Sequence, residues 1–268
     1  MILKIRNITL QKLTMAYRDE GVGKPIVLLH GFCGSHQYWE KVIPELSKEY
    51  RVIAPDLPGH GNSTSMNERY SIEGMAAIIK ELLDELKIKD VNMFGHSLGG
   101  YITLAFAERY GNQLNSFSLI HSTAFPDSEE AKKGREANID KVKHQGIHTL
   151  IDGLVPNLFS PDNLNKHADD VDVTKKIGYL TSHEGAIGSL KAMKDRPDRN
   201  NILENTTLPV LLLAGDHDQV IPYEKTFSVT KENIKHSLLK NAGHMSMFES
   251  HEQLISELKA FLNRSEIL

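Results

Sequence analysis

The sequence predicts an α/β domain, a mostly parallel central sheet with helices on both faces, interrupted by one helical insertion. Three observations predict it. Short apolar runs alternate with longer amphipathic ones over most of the 268 residues, the β-α-β-α rhythm of a parallel sheet. Between about Thr123 and Leu203 that rhythm stops and no convincing strand appears. Strand signals resume at Pro209. The expected organisation is therefore a core of residues 1–122 and 204–268, with residues 123–203 as a helical lid, or cap, inserted between two core strands.

In chain order, Ile2–Ile8 and Leu13–Arg18 alternate apolar and polar residues, which predicts an antiparallel hairpin at the sheet edge. Ile26–Leu29 (IVLL) reads as a buried strand, Tyr38–Ser47 as a helix, and Arg51–Ala54 (RVIA) as the next strand. In Tyr70–Leu86 the apolar residues Ile72, Met75, Ala76, Ile79, Leu82, Leu83 and Leu86 fall on one helical face. Val91–Phe94 is a strand, Leu98–Tyr110 a helix, and Ser116–Ile120 a strand. The insertion is charged and helix-like, as in SEEAKKGREANIDKVK, with expected interruptions at Gly146, Pro156, Pro161 and Gly178. Pro209–Ala214 and His236–Leu239 are the later strands. Ser250 and Gln253 have the spacing of a capping box for a last helix running to about Leu262.

Composition narrows the function. Lys plus Arg is 31 and Asp plus Glu 35, a net charge of −4, so nothing points to nucleic acid or an anionic membrane. The single cysteine, Cys33, excludes an intramolecular disulfide framework and fits a reducing compartment. The first residues, MILKIRNITLQK, mix charge among apolar positions, unlike a signal peptide. The expectation is a soluble, cytoplasmic protein; the oligomeric state is not readable.

Four loops that follow strands carry the chemistry. Gly95-His96-Ser97-Leu98-Gly99 fits G-x-S-x-G between a strand and a helix, the setting in which a strained turn exposes a nucleophilic serine. Outside that setting the motif is only a glycine-rich turn with an idle serine. His30-Gly31-Phe32-Cys33-Gly34 follows the IVLL strand. Acyl transfer builds charge on a carbonyl oxygen, and preorganised N–H groups must meet it; the backbone amides of Phe32 and Leu98 are the candidates. Gly215-Asp216-His217-Asp218 follows PVLLLA, and Ala242-Gly243-His244 follows the last strand. A serine needs a base, and the base needs a carboxylate to fix its tautomer. The chain order Ser97, Asp218, His244 is one used on this type of sheet. For most of the thirteen histidines, His36, His121 and His148 among them, a solvated loop position is the plainer expectation. Cys33 reads as a small space-filling residue rather than a reporter thiol.

With these segments in hand, the sequence resembles the α/β-hydrolase superfamily, and within it the small lid-bearing esterase, lactonase and perhydrolase-like enzymes. The likeness rests on HGFCGS, DLPGHGNS (Asp56–Ser63), GHSLGG, GDHDQVIP and AGHMSMFE, in the right order, and covers nearly all the chain except the insertion. The resemblance implies Ser97 as nucleophile, Asp218 as acid, His244 as base, and Phe32 as donor of an oxyanion amide; Asp216 is expected to be structural or solvated. DLPGHGNS resembles a structural turn of that family. It is not a dinucleotide fingerprint, since Thr64 stands where the last glycine would be. His251 departs from the proline common in relatives.

Ser97 argues against the epoxide hydrolases and haloalkane dehalogenases of this fold, which carry Asp at the elbow. Hydroxynitrile lyases share the triad. No HExxH, paired cysteines or phosphate loop appears, so no metal or other cofactor is expected. His183-Glu184 reads as a solvated helix pair. The expected activity is hydrolysis of a small carboxylic ester or lactone through an acyl-enzyme. Two readings stand beside it: a carbon–carbon bond hydrolase or lyase with the same triad, and a weakly hydrolytic small-ligand receptor. Leu150, Leu154, Leu158, Phe159, Ile187 and Met193 are the apolar insertion residues expected to line the pocket.

Overall fold

The computed structural model describes residues 5–265. Eight strands form one sheet: β1 (Arg6–Thr9), β2 (Thr14–Glu20), β3 (Pro25–Leu29), β4 (Arg51–Pro55), β5 (Val91–His96), β6 (Leu114–Ile120), β7 (Val210–Gly215) and β8 (Ile234–Leu239). Their spatial order is β1-β2-β4-β3-β5-β6-β7-β8. β1 and β2 form the expected antiparallel hairpin, whose first residues 2–4 lie outside the described residues. β2 pairs antiparallel with β4, and every pairing from β4 through β3 to β8 is parallel.

The strands alternate their side chains between two apolar layers. Val27, Leu29, Met93, Phe117, Leu119 and Leu212 face α2 (Ile72–Glu85) and α3 (Leu98–Tyr110). Ile26, Leu28, Phe94, Ile120, Leu211 and Leu213 face the other layer, which holds Leu254, Leu258 and Phe261 of the last helix. Burying each such side chain contributes roughly 1.5–3 kcal/mol. The start of α2 is fixed by Ser71, whose Oγ accepts from the Gly74 amide at 3.0 Å.

Three local expectations are corrected. Tyr38–Ser47 is not one helix but a 3₁₀ turn at His36–Trp39 followed by the short α1 (Ile43–Leu46). Pro44, near the start of α1, has no N–H and its ring obstructs a continuous helix, so the chain restarts there. The capping box at Ser250 does not form. Gln253 instead exchanges hydrogen bonds with the backbone of Lys240 at 3.2 and 3.4 Å, and the Ser250 hydroxyl is buried without a partner among the described residues.

The third correction lies between β6 and β7, where the chain is helical: α4 (Glu129–Leu154), α5 (Ala168–Tyr179), α6 (His183–Asp195) and α7 (Asn200–Asn205). Gly146, with φ of 83°, breaks α4 as expected. Pro156 and Pro161 each open a 3₁₀ turn. Gly178 does not interrupt; it sits inside α5, where a Cβ would come within 2.8 Å of Ile151. α7 also runs two residues past the expected boundary at Leu203. The excursion is clamped to the core at two places in its second half. Ser182 donates its amide to the Gly59 carbonyl at 2.9 Å, and Gly185 meets Gly59 so closely that a Cβ on either would lie about 2.5 Å from the other's backbone. Buried Arg199 bridges Glu73 of α2 and Glu108 of α3. Short helices α8 (Tyr223–Thr226) and α9 (Ser246–Glu249) precede α10 (His251–Ser265). Among the described residues no helix is long and apolar enough to cross a membrane.

Candidate active site

Ser97 occupies the single residue between β5 and α3, with φ of 51° and ψ of −114°. For a residue with a side chain this backbone is strained, at a cost of about 1–3 kcal/mol, and neighbouring packing imposes it. A Cβ on Gly95 would lie 2.3 Å from the Gly99 carbonyl oxygen, and one on Gly99 would lie 2.4 Å from that of Leu29. Only glycine permits strand and helix to approach so closely, so the G-x-S-x-G spacing has a steric cause. The turn is pinned by the Ser97 amide donating to Ile120 at 3.0 Å and by the Ser122 hydroxyl donating to the Ser97 carbonyl at 2.8 Å.

His244 follows β8 and is buried. Its Nδ1–H donates to Asp218 Oδ2 at 2.8 Å, which leaves Nε2 as the proton-accepting nitrogen. Its backbone amide donates to the Leu158 carbonyl at 2.8 Å, joining the loop to the helical insertion. Its own carbonyl accepts from His96 Nε2 at 2.9 Å. Asp218, after β7, receives the amides of Val220 and Ile221 on Oδ1 at 2.9 and 3.0 Å. Burial alone would raise its pKa, but His244 and the hydrogen bonds from both histidines hold the carboxyl well below the usual range. Asp216 is half-buried, 3.7 Å from Lys240, and receives the Ala242 amide at 3.4 Å; it does not reach His244.

Ser97, His244 and Phe32 line one cavity of about 210 Å³ at the carboxyl ends of the strands, where ligands sit in open parallel sheets. Leu98 is buried beside it and opens α3, so its N–H has no intrahelical acceptor. Phe32 stands in a tight turn closed by Gly34 N–H to Gly31 O at 3.0 Å. Of the six insertion residues expected in the pocket, Leu154, Leu158 and Met193 line it. Leu150, Phe159 and Ile187 instead pack into the apolar layers, Phe159 against Phe248 at 6.3 Å between ring centroids. A larger cavity of about 880 Å³ lies among Asn92, Asn115, Pro209 and Asn233, near the amino ends of the strands and away from these groups.

Sequence reasoning missed several buried groups. His121, expected to be solvated, is fully buried at the end of β6. Its Nδ1–H donates to Asp218 Oδ2 at 3.0 Å and its Nε2 accepts from Ser246 Oγ at 2.8 Å. Burial lowers its pKa, so it stays a neutral donor. His121, Asp218 and His244 bring their ligand-type atoms within 4.8 Å of one another; the hydrogen bonds account for that cluster without a metal. A hydrogen bond to a buried carboxylate is worth about 1.5–3 kcal/mol. His121→Ala is therefore expected to lower stability by that amount. It should also move the acid limb of kcat/KM to higher pH, because the charge of Asp218 is then shared with His244 alone. An unshifted limb in a folded variant would show that His121 only fills space.

His36 is also buried rather than solvated, giving its amide and Nδ1–H to Asp56 Oδ1 at 2.7 and 2.8 Å. The Asn62 amide bonds Oδ2 at 2.8 Å, so Asp56-Leu57-Pro58-Gly59-His60-Gly61 is a braced turn. His148 is exposed and stacks on Tyr179. Cys33 is buried in the turn closed by Gly31 and Gly34, and burial pushes its thiol pKa up. His30 donates Nδ1–H to Gly31 O at 2.7 Å and accepts the Leu57 amide on Nε2 at 2.9 Å, which fixes the loop that carries Phe32.

Burial lowers His30 from 6.5 to about 3 and His60 to about 4. Both rings remain neutral in the folded chain while the unfolded chain takes up protons below about 6.5. Their contribution is thus intact above pH 6.5 and is lost as pH falls toward 3–4. By pH 5 each should have cost about 2 kcal/mol. Thermal unfolding midpoints should fall steadily from pH 7 to pH 5; a flat profile would mean that these rings gain protons without loss of fold.

A family profile described as alpha/beta hydrolase fold matches residues 24–251. The chain belongs to the α/β-hydrolase family. It is 30% identical over 248 residues to the dihydrolipoyllysine-residue acetyltransferase component of an acetoin cleaving system from Pseudomonas putida; the match takes in 90% of this chain but 64% of that protein. This α/β-hydrolase also superposes on a thermophilic esterase from Thermogutta terrifontis, solved with malate bound, with a TM-score of 0.92, 28% identity, and 98% and 99% of the two chains covered. An enol-lactonase from Burkholderia xenovorans LB400 shares the fold with a TM-score of 0.88 at 24% identity, covering 96% of this chain and 100% of its own.

Proposed function

We propose that this α/β-hydrolase cleaves small carboxylic esters or lactones through an acyl-serine intermediate. The observation that carries the reading is that Ser97, on its strained turn, shares a cavity with a histidine whose Nδ1–H is tied to Asp218. His244 Nε2 takes the hydroxyl proton as Ser97 Oγ attacks the carbonyl carbon. The amides of Phe32 and Leu98 receive the oxyanion, each such donor being worth about 3 kcal/mol. His244 then hands the proton to the leaving alcohol, and the same nitrogen activates the water that frees the acid. No cofactor enters these steps. The esterase relative, similar over its whole length, supports the ester bond as substrate.

In this reading residues 123–203 act as a lid that walls the pocket with Leu154, Leu158 and Met193. A cavity near 210 Å³ is small beside the roughly 300–1,000 Å³ of sites for drug-sized ligands, so short acyl groups are favoured. A panel of aryl esters of graded acyl length tests this. The parent should prefer short chains, and Leu154→Ala with Met193→Ala should shift the preference toward longer ones by on the order of tenfold per site. No ester turnover at all would remove the reading in favour of a receptor. An unchanged ranking in the variants would remove the insertion as the specificity element. Release of acid by carbon–carbon cleavage, with no acyl-serine trapped, would favour a lyase-type reaction.

A further inference from the structure

The far wall of the cavity is charged, and its charge is unbalanced. Arg135, Arg196 and Lys225 line it against one carboxylate, Asp127. Arg196 is 7% exposed and Asp127 is 8% exposed, too deep for solvated surface charges. Arg196 Nη1 donates to Asp127 Oδ1 at 2.6 Å and to the Met193 carbonyl at 2.8 Å. Its Nε donates to Phe125 O at 3.3 Å, and the guanidinium lies over the Tyr101 ring at 4.0 Å. Arg135 Nε takes the second oxygen of Asp127 at 3.0 Å. Both carboxylate oxygens are therefore occupied by arginine. Arg196 Nη2, both Nη atoms of Arg135 and the Lys225 ammonium have no hydrogen-bond partner among the described residues. Tyr101 lies one helical turn after Ser97 and also lines the cavity, so the charged wall and the nucleophile belong to one space.

A guanidinium held by an anion on one edge presents its remaining N–H groups as a fork that fits a carboxylate. Of the three cations Arg196 is buried, the Arg135 side chain is 24% exposed and Lys225 stands exposed at the rim. An apolar ester tail against this wall would displace water from the Arg196 Nη2 and Arg135 donors and give them no acceptor, which costs more than the contact returns. We propose that the substrate carries a free carboxylate on its acyl part, remote from the scissile ester, bound by Arg135, Arg196 and Lys225. This makes the substrate a half-ester, or the lactone equivalent, of a small dicarboxylic acid. The inference rests on the serine-hydrolase reading for which bond breaks, but not for which group binds.

The test compares monoethyl glutarate with ethyl valerate, two ethyl esters that differ at the chain end by carboxylate against methyl. The parent should favour monoethyl glutarate in kcat/KM by on the order of ten- to a hundredfold, mainly through KM. In Arg135→Gln/Lys225→Gln the ratio should collapse toward one. Arg196 is left in place, because its removal strands the buried Asp127 carboxylate. Calorimetry on Ser97→Ala measures binding of the same two esters without turnover and should show the same preference. A parent that hydrolyses ethyl valerate as well as monoethyl glutarate, or a ratio unmoved by the double variant, overturns the carboxylate site and leaves the hydrolase reading standing. Selective binding of monoethyl glutarate with no hydrolysis of either ester leaves the site standing and overturns the hydrolase reading.

Discussion

Ser97→Ala is expected to abolish covalent labelling by a fluorophosphonate probe and to reduce ester turnover by at least about 10⁴-fold, with the fold intact. The backbone at this position is strained whether or not the side chain carries a hydroxyl, because Gly95 and Gly99 impose the turn by close packing. Alanine therefore removes the nucleophile without moving the helix. Mass spectrometry of the labelled parent should place the adduct on the peptide containing Ser97. Undiminished labelling of the alanine variant would show that another residue is the nucleophile and would undo the acyl-serine scheme.

The second large effect concerns the carboxylate. Asp218→Asn should cost on the order of 10⁴ in kcat. The amide that replaces Asp218 Oδ2 presents N–H groups where two imidazole N–H groups now donate, those of His244 and His121. Both rings would then lose their tautomer, and His244 would no longer offer Nε2 as a base. Asp216→Asn should cost far less, since among the described residues the Asp216 carboxylate meets only Lys240 and the Ala242 amide, both at long range. Steady-state kinetics on the two folded variants decide the matter; a larger loss at Asp216 would reverse the assignment.

What was legible in the sequence was legible because its causes are local. The elbow reads directly from strand, glycine spacing and helix within Val91–Tyr110. Asp218 and His244 are 26 residues apart and follow adjacent parallel strands, so position after a strand was enough to single out this hydrogen-bonded pair. His121 was misread because its meaning lies in Asp218, 97 residues onward, and no nearby motif announces the pair. Arg196 and Asp127 are 69 residues apart within the insertion, where charge alone suggests a solvated helix. Pro44 was readable in principle, since a proline within an otherwise helical pattern breaks it. Leu150 and Ile187 differ from Leu154 and Met193 in which face of α4 and α6 they occupy, whereas Phe159 leaves the 3₁₀ turn of Leu158 in extended backbone and turns toward Phe248.

The bond from the His244 amide to the Leu158 carbonyl gives the proposed base a second allegiance. Through its ring it belongs to the core, and through its backbone to the insertion. A movement that carries Leu158 outward must break this bond, so in the proposed scheme opening of the insertion and a firmly held His244 oppose each other. Substrate entry and readiness for chemistry would then alternate rather than coexist. The same hydrogen that carries no chemistry becomes a gauge: in deuterated water the His244 amide is protected by this bond, so its exchange rate should report the population of states in which the two parts have separated.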